Sequence, residues 1–213
     1  MAQPDHSPAE FSETHRQIEH IVPVAFAFLL RWLPPVGAAV LVLCGVAYAL
    51  FGSCRLAPSS FREEERQQRW SRAKVLYACS ILVLIAAFPR HLHVVAGAWA
   101  VMAVGDGCAP LVGGRCRRAF LPWNRRKTWL GLAAFVVAGG MAAAVALVWV
   151  GGRYGDRLLS AREALRAALA AAAAAGVVES LPIERWIDDN VTVPLCSAAV
   201  LYLMIGGPHP GPF

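Results

Sequence analysis

Apolar runs approaching twenty residues recur along this chain, separated by short polar pieces, and that rhythm constrains its fold more than any single residue. A helix needs about 20 apolar residues to cross the hydrocarbon layer of a bilayer. The chain is therefore expected to be all-α, a polytopic transmembrane helical bundle of about seven spans. The candidates are Ile21–Leu33, Val36–Phe51, Val75–Phe88, Val94–Val104, Trp129–Val150, Ala161–Val178 and Val191–Ile205. The first stops at Pro34-Pro35 and is short for a full crossing. Only 16% of the residues are charged, against about a quarter in soluble domains. The length suits one compact unit: a polar segment 1–20, a single transmembrane domain 21–205 and a short tail 206–213.

Residues 1–20 lack the basic start, apolar middle and small-residue cleavage site of a signal peptide. The six cysteines (Cys44, Cys54, Cys79, Cys108, Cys116, Cys196) form no CxxC pair and read as small packing residues, not as a disulfide framework or a zinc site. A net charge of +6 would suit nucleic acid in a soluble protein; here it sets topology, and no nucleic-acid partner is expected. The N-terminal tail, Gly52–Lys74, Asp106–Thr128 and Glu179–Asn190 together carry roughly fourteen of the twenty Lys and Arg residues. Arg31, Arg90, Arg153 and Arg157 belong to the opposite set. The positive-inside rule puts the basic set and the N-terminus in the cytoplasm, and a composition heavy in Ala, Arg and Gly points to an integral protein of a bacterial cytoplasmic membrane. Ala- and Gly-rich stretches such as 133–140 and 167–176 allow helices to approach closely and permit a homodimer. Ser160 and Glu163 have capping-box spacing at the start of the sixth span.

Chemistry concentrates in the basic-set loops. Asp106, between Gly105 and Gly107 at a membrane boundary, can coordinate a hard cation while the backbone nears a phosphate, although a lone Gly-Asp-Gly is more often a plain turn. Gly113, Arg115, Arg117, Arg118 and the stretch Pro122 to Thr128 suit a polyphosphate, and equally suit anionic lipid headgroups. The segment Glu179 to Asn190 carries Glu179, Glu184, Asp188 and Asp189, an acidity that topology alone does not explain. A basic loop and an acidic loop on one face make a workable Mg-nucleotide site. Before the first span, Arg16 and His20 share a helical face, with Glu19 beside them.

Three strings, GDGCAPLVGGR (105–115), LPWNRRKTWLG (121–131) and VESLPIERWIDDNVTVPL (178–195), in this order, resemble the phytol/dolichol (polyprenol) kinase family. The resemblance covers the C-terminal half well and the N-terminal half in hydropathy. It implies an integral membrane enzyme that moves the γ-phosphate of CTP, with Mg²⁺, onto an isoprenoid or other lipid alcohol among membrane lipids. By motif position, Asp106, Lys127, Glu179 and Asp189 are the implied catalytic residues, with Asp106, Glu179 and Asp189 toward the metal. Gly105, Gly107, Gly113, Arg115, Asn124, Arg126, Thr128, Gly131 and Asn190, with Arg16 and His20, are implied at the nucleotide. The chain departs from the family pattern at Gln17 (usually lysine), Pro110 (usually aspartate) and Leu132 (usually serine), which points to a changed acceptor, a changed donor or weakened catalysis. Two other readings compete: a CTP:phosphatidate cytidylyltransferase-like CDP-lipid synthase, and a non-catalytic membrane scaffold or transporter.

Overall fold

The computed structural model describes residues 11–61, 63–115, 119–154, 159–182 and 187–206. Cys116, Arg117, Arg118, Arg157 and Glu184, together with residues 1–10 and 207–213, lie outside the described residues. The described residues are helical apart from loops and one isolated antiparallel bridge, Phe120 to Thr128. In chain order the helices are α1 (Glu13–Ile21), α2 (Val24–Leu29), α3 (Pro35–Leu56), α4 (Glu63–Gln68), α5 (Arg72–Ala87), α6 (Leu92–Gly113), α7 (Trp129–Tyr154), α8 (Ala161–Ser180) and α9 (Asp189–Leu201). A π turn interrupts α3 at Tyr48–Gly52 and α6 at Val101–Asp106, and another, Tyr202–Gly206, continues α9.

The all-α expectation holds, whereas the count of about seven spans is not confirmed. Among the described residues three helices are long and apolar enough to cross a membrane: α3, α6 and α7; Asp189–Ile205 is a shorter apolar helix. The first candidate span breaks at Pro23, where the ring cannot continue an N–H ladder, into α1 and an α2 of 6 residues. Six residues at 1.5 Å each reach only about 9 Å. Helix α5 has 16 residues, and α8, though 20 long, carries Arg162, Glu163 and Arg166 in its first two turns.

Helix α6 is the axis of the bundle, with every residue from Leu92 to Ala103 buried. Helix α7 packs along it, α8 lies on α7, and α9 bridges α8, α6 and α5. Helix α3 leans on α5, while α2 leans on α6 and α7. Lipid gives helices little hydrophobic reason to associate, so close backbone approach supplies the attraction through van der Waals contact. Helix α8 does this with alanines at helical spacing, burying Ala164, Ala167, Ala168, Ala171, Ala172 and Ala175. Its expected capping box is present: the Ser160 hydroxyl accepts from the Glu163 N–H, and the Glu163 carboxylate accepts from the Ser160 N–H at 3.0 Å.

A backbone-to-backbone crossing lies where α7 meets the π turn of α6. A Cβ on Gly139 would sit 3.1 Å from Gly105 Cα and 3.3 Å from the Val101 carbonyl oxygen, both backbone atoms that cannot swing aside. Gly139→Ala is expected to lower stability by about 1–3 kcal/mol, read as a fall in detergent melting temperature. Gly151→Ala, on the same helix with its nearest neighbour 4.0 Å away, should change stability by less than about 0.5 kcal/mol. Equal losses in both variants would contradict this account of the crossing.

Candidate active site

The loop between α6 and α7 closes on itself. Leu121 N–H donates to the Lys127 carbonyl at 2.9 Å, Lys127 N–H to the Asn124 carbonyl at 3.0 Å, and Trp129 N–H to the Ala119 carbonyl at 3.0 Å. The closed loop is then buckled to the end of α8. Trp123 Nε1 donates to Ser180 Oγ at 3.0 Å, and the buried Asn124 amide donates to the Ser180 carbonyl at 3.1 Å. Glycine again allows the approach, since a Cβ on Gly113 would meet Thr128 Oγ1 at 2.7 Å and Gly131 Cα at 3.1 Å.

This framework aims Lys127 into the bundle. Its ammonium donates to Glu179 Oε1 at 2.7 Å, to the Glu179 backbone carbonyl, and to Asp189 Oδ2 at 3.4 Å. One cation thereby joins the C-terminus of α8 to the N-terminus of α9. Asp188 caps α9, its carboxylate accepting from the Asn190 N–H at 3.0 Å and from the Asn190 side-chain amide at 2.8 Å. Asn190 Oδ1 remains buried without a hydrogen-bond partner. The Glu179 carboxyl is pushed up to about 7: burial raises it most, Lys127 opposes, and the charges of Asp106 and Asp189 add to the rise.

Asp106 ends the π turn of α6, a helix irregularity that often accompanies function because it resets which face the next residues present. Its Oδ2 lies 3.3 Å from His20 Nε2 of α1. His20 stands edge-on to Tyr77 with ring centroids 4.8 Å apart, and the Tyr77 hydroxyl accepts from Trp99 Nε1 at 2.8 Å. The histidine before the first span is thus part of a constructed contact.

A cavity of about 1420 Å³ gathers these groups. Arg16, His20, Asp106, Arg126, Lys127, Thr128, Glu179, Asp189 and Asn190 all line it, as do Gly113 and Gly131. Arg16 Nη1 is buried without a hydrogen-bond partner. The other implied nucleotide residues stand elsewhere. Gly105 packs against Phe135 and Gly107 against Ile21, Arg115 is exposed, and Asn124 fastens the loop. None of these four lines the cavity.

Sequence reasoning missed a second polar group on the same cavity. Lys74 Nζ lies 2.7 Å from Glu19 Oε2 and 2.8 Å from Ser60 Oγ, and the Tyr48 hydroxyl donates to Glu19 Oε1 at 2.9 Å. Burial pulls the Lys74 ammonium below its usual value, with Glu19 opposing. The available signal was a lysine and a glutamate each placed at the edge of an apolar run. Among the described residues no three His, Cys, Asp or Glu side chains converge closely enough to hold a metal ion alone. The hard oxygen donors of Asp106 and Asp189, with the unpartnered Asn190 Oδ1, fit Mg²⁺ bound chiefly through substrate phosphates, its usual habit.

Curated proteins similar to this chain are kinases of isoprenoid alcohols by name. A probable phytol kinase of the chloroplast from Triticum aestivum is 31% identical over 150 residues, covering 69% of this chain and 49% of the relative. Phytol kinase 1 of the chloroplast from Arabidopsis thaliana is 29% identical over 147 residues, covering 69% of this chain and 48% of the relative. A chloroplastic farnesol kinase from Arabidopsis thaliana is 37% identical over 103 residues, covering 48% of this chain and 33% of the relative. The chain spans about half the length of the phytol kinases it matches. No family profile matches it, and no solved structure does. The expected bacterial cytoplasmic membrane is overturned, because these relatives are chloroplastic proteins of plants. Loop charge sorts the two ends of a bundle and carries no information about which organelle's membrane holds it. By its similarity to the probable phytol kinase of Triticum aestivum, which extends over 69% of its length, the chain belongs to the phytol/polyprenol kinase family.

Proposed function

We propose that this chain is a kinase that transfers the γ-phosphate of CTP to the hydroxyl of an isoprenoid alcohol, in a chloroplast membrane. The observation that carries the reading is Lys127, held between Glu179 and Asp189 at the polar part of a cavity that continues into apolar walls. The relatives' names supply the acceptor class, phytol and farnesol, and the chloroplast setting. CTP and Mg²⁺ come from the family resemblance.

The chemistry asks little covalent work of the protein. The acceptor oxygen forms a bond to Pγ, the bond from Pγ to the bridging oxygen breaks, and CDP leaves with that electron pair. Lys127 neutralises charge on the transferring oxygens once they displace a carboxylate from its ammonium. Arg16 and Arg126, lining the same cavity, oppose the remaining phosphate charge. Glu179, whose carboxyl is pushed up to about 7, takes the hydroxyl proton in its ionised form. Asp106 and Asp189, with Asn190, would hold Mg²⁺, which when bound would supply charge shielding for the phosphate oxygens. His20 orients the Asp106 carboxylate from 3.3 Å.

Two outcomes test this. With γ-labelled CTP, Mg²⁺ and farnesol or phytol, label should appear in the prenyl monophosphate, and Lys127→Ala or Asp106→Ala should cut the rate by at least about a hundredfold. Label moving only from α-labelled CTP would instead make the protein a CDP-lipid synthase. The second outcome concerns pH. A raised carboxyl that must be ionised gives activity that is lost as pH falls through about 7. Glu179→Gln should flatten that limb and lower kcat by roughly 10²–10⁴-fold. A limb unchanged in Glu179→Gln would assign the base elsewhere.

A further inference from the structure

Beyond its polar groups the cavity has an apolar arm, and its two walls change character in the same direction. On one wall Glu19 is followed by Val22 and then Phe26, and all three line the cavity. On the other, Tyr48 is followed toward the N-terminus of α3 by Gly45 and Leu41, which also line it. The walls are pinned at their polar level by the Tyr48 hydroxyl on Glu19 at 2.9 Å. From there both become apolar, the α3 wall at successive helical turns about 5 Å apart and the other across the Pro23 break from α1 into α2. The walls take their main support from different neighbours, α2 from α6 and α7 and α3 from α5.

Gly45 decides how wide that arm is. A Cβ on Gly139 or Gly113 would press on neighbouring backbone or side chain, whereas a Cβ on Gly45 would meet nothing within 4 Å. This glycine therefore serves no helix crossing, and its missing side chain leaves room against the cavity. Across from it, Val22, just past the end of α1, is 58% exposed, and Phe26, in α2, is 42% exposed. Single exposed apolar residues are ordinary on a helix that meets lipid. These line the same cavity as His20 and Asp106.

We infer that the arm between Val22 and Phe26 on one wall and Gly45 and Leu41 on the other holds the hydrocarbon tail of the acceptor. The hydroxyl end sits at the Glu19–Tyr48 level, toward Asp106 and Lys127, and Gly45 keeps the passage open. The inference deepens the kinase reading and rests on it for the identity of the ligand. A branched isoprenoid chain suits such an arm because its methyl groups need width that a side chain at Gly45 would remove.

The test uses the full chain in nanodiscs and a C20 prenyl alcohol bearing a diazirine along its tail, with no nucleotide present. Photolabel should fall on the peptides containing Phe26 and residues 41–45 and be competed by phytol. Gly45→Phe should reduce that labelling about tenfold or more. Phe26→Ala, which adds no bulk and removes part of the opposite wall, should reduce it too. Val40→Phe, exposed on the same helix and outside the cavity, should leave it unchanged. In the transfer assay Gly45→Phe should raise KM for the prenol about tenfold, with KM for CTP unmoved. Leu41→Trp, one turn deeper, should spare a C10 alcohol and exclude a C20 one. Labelling confined to lipid-facing positions, or indifferent to Gly45→Phe, overturns the inference whether or not phosphate is transferred. Labelling in the arm without phosphate transfer supports the arm and overturns the kinase reading alone.

Discussion

An ammonium withdrawn from water is costly unless carboxylates or carbonyls replace its hydration, and an isolated buried carboxylate is no cheaper. Lys127 and Glu179 resolve this for each other, with Asp189 and the Glu179 carbonyl filling the remaining donor directions. Because the partners come from the α6–α7 loop, the end of α8 and the start of α9, satisfying one charge fixes three segments. The Trp123 and Asn124 contacts to Ser180 then set the loop's height against α8. Removing the lysine would leave Glu179, 7% exposed, facing Asp189 and the field of Asp106 without a counter-ion.

That ion group can form only if the helices carrying it come close, and in lipid closeness depends on small side chains. Gly139 against Gly105 draws α7 onto the π turn of α6, and Gly113 against Gly131 draws the start of α7 onto the end of α6. Asp106 and Lys127 lie just beside these crossings, one on each helix's polar margin. The glycines thus set the distance across which the charges act, and the alanine face of α8 completes the support behind Glu179.

What the sequence made legible follows from how local each signal is. Asp106, Lys127, Glu179 and Asp189 stand in compact strings, and all four line one cavity. The basic-set loops read from charge also meet at one end of the bundle, while Arg31, over the Trp149 ring at 4.5 Å, lies among other partners. The glycines around Asp106 were ambiguous in sequence, because a close approach to a phosphate and a close approach to a helix ask for the same missing Cβ. The span count is not confirmed, since hydropathy does not register Pro23 breaking the first apolar run or the charges in the first turns of α8. Lys74 escaped because its partner Glu19 is 55 residues away, so no window of sequence contains the pair.

The reaction proposed for this family poses a partition problem. A polyprenyl tail belongs in hydrocarbon and a nucleoside triphosphate in water, so their reacting atoms meet only at a boundary the protein must hold open. Hydrophobic transfer favours the tail by roughly 0.8 kcal/mol for each buried CH₂, and the cations of Arg16, Lys74 and Lys127 favour the phosphates. Neither preference brings the two together; geometry must. The Tyr48–Glu19–Lys74 contact closes the cavity's walls at the level where polarity changes, and the Lys127 group draws in the loop that would carry the donor. A site of this kind needs its charged residues placed where apolar helices end or turn irregular and where their burial is tolerable only in pairs, as Lys74, Glu179 and Asp189 are at helix ends and Asp106 is at the close of the π turn in α6.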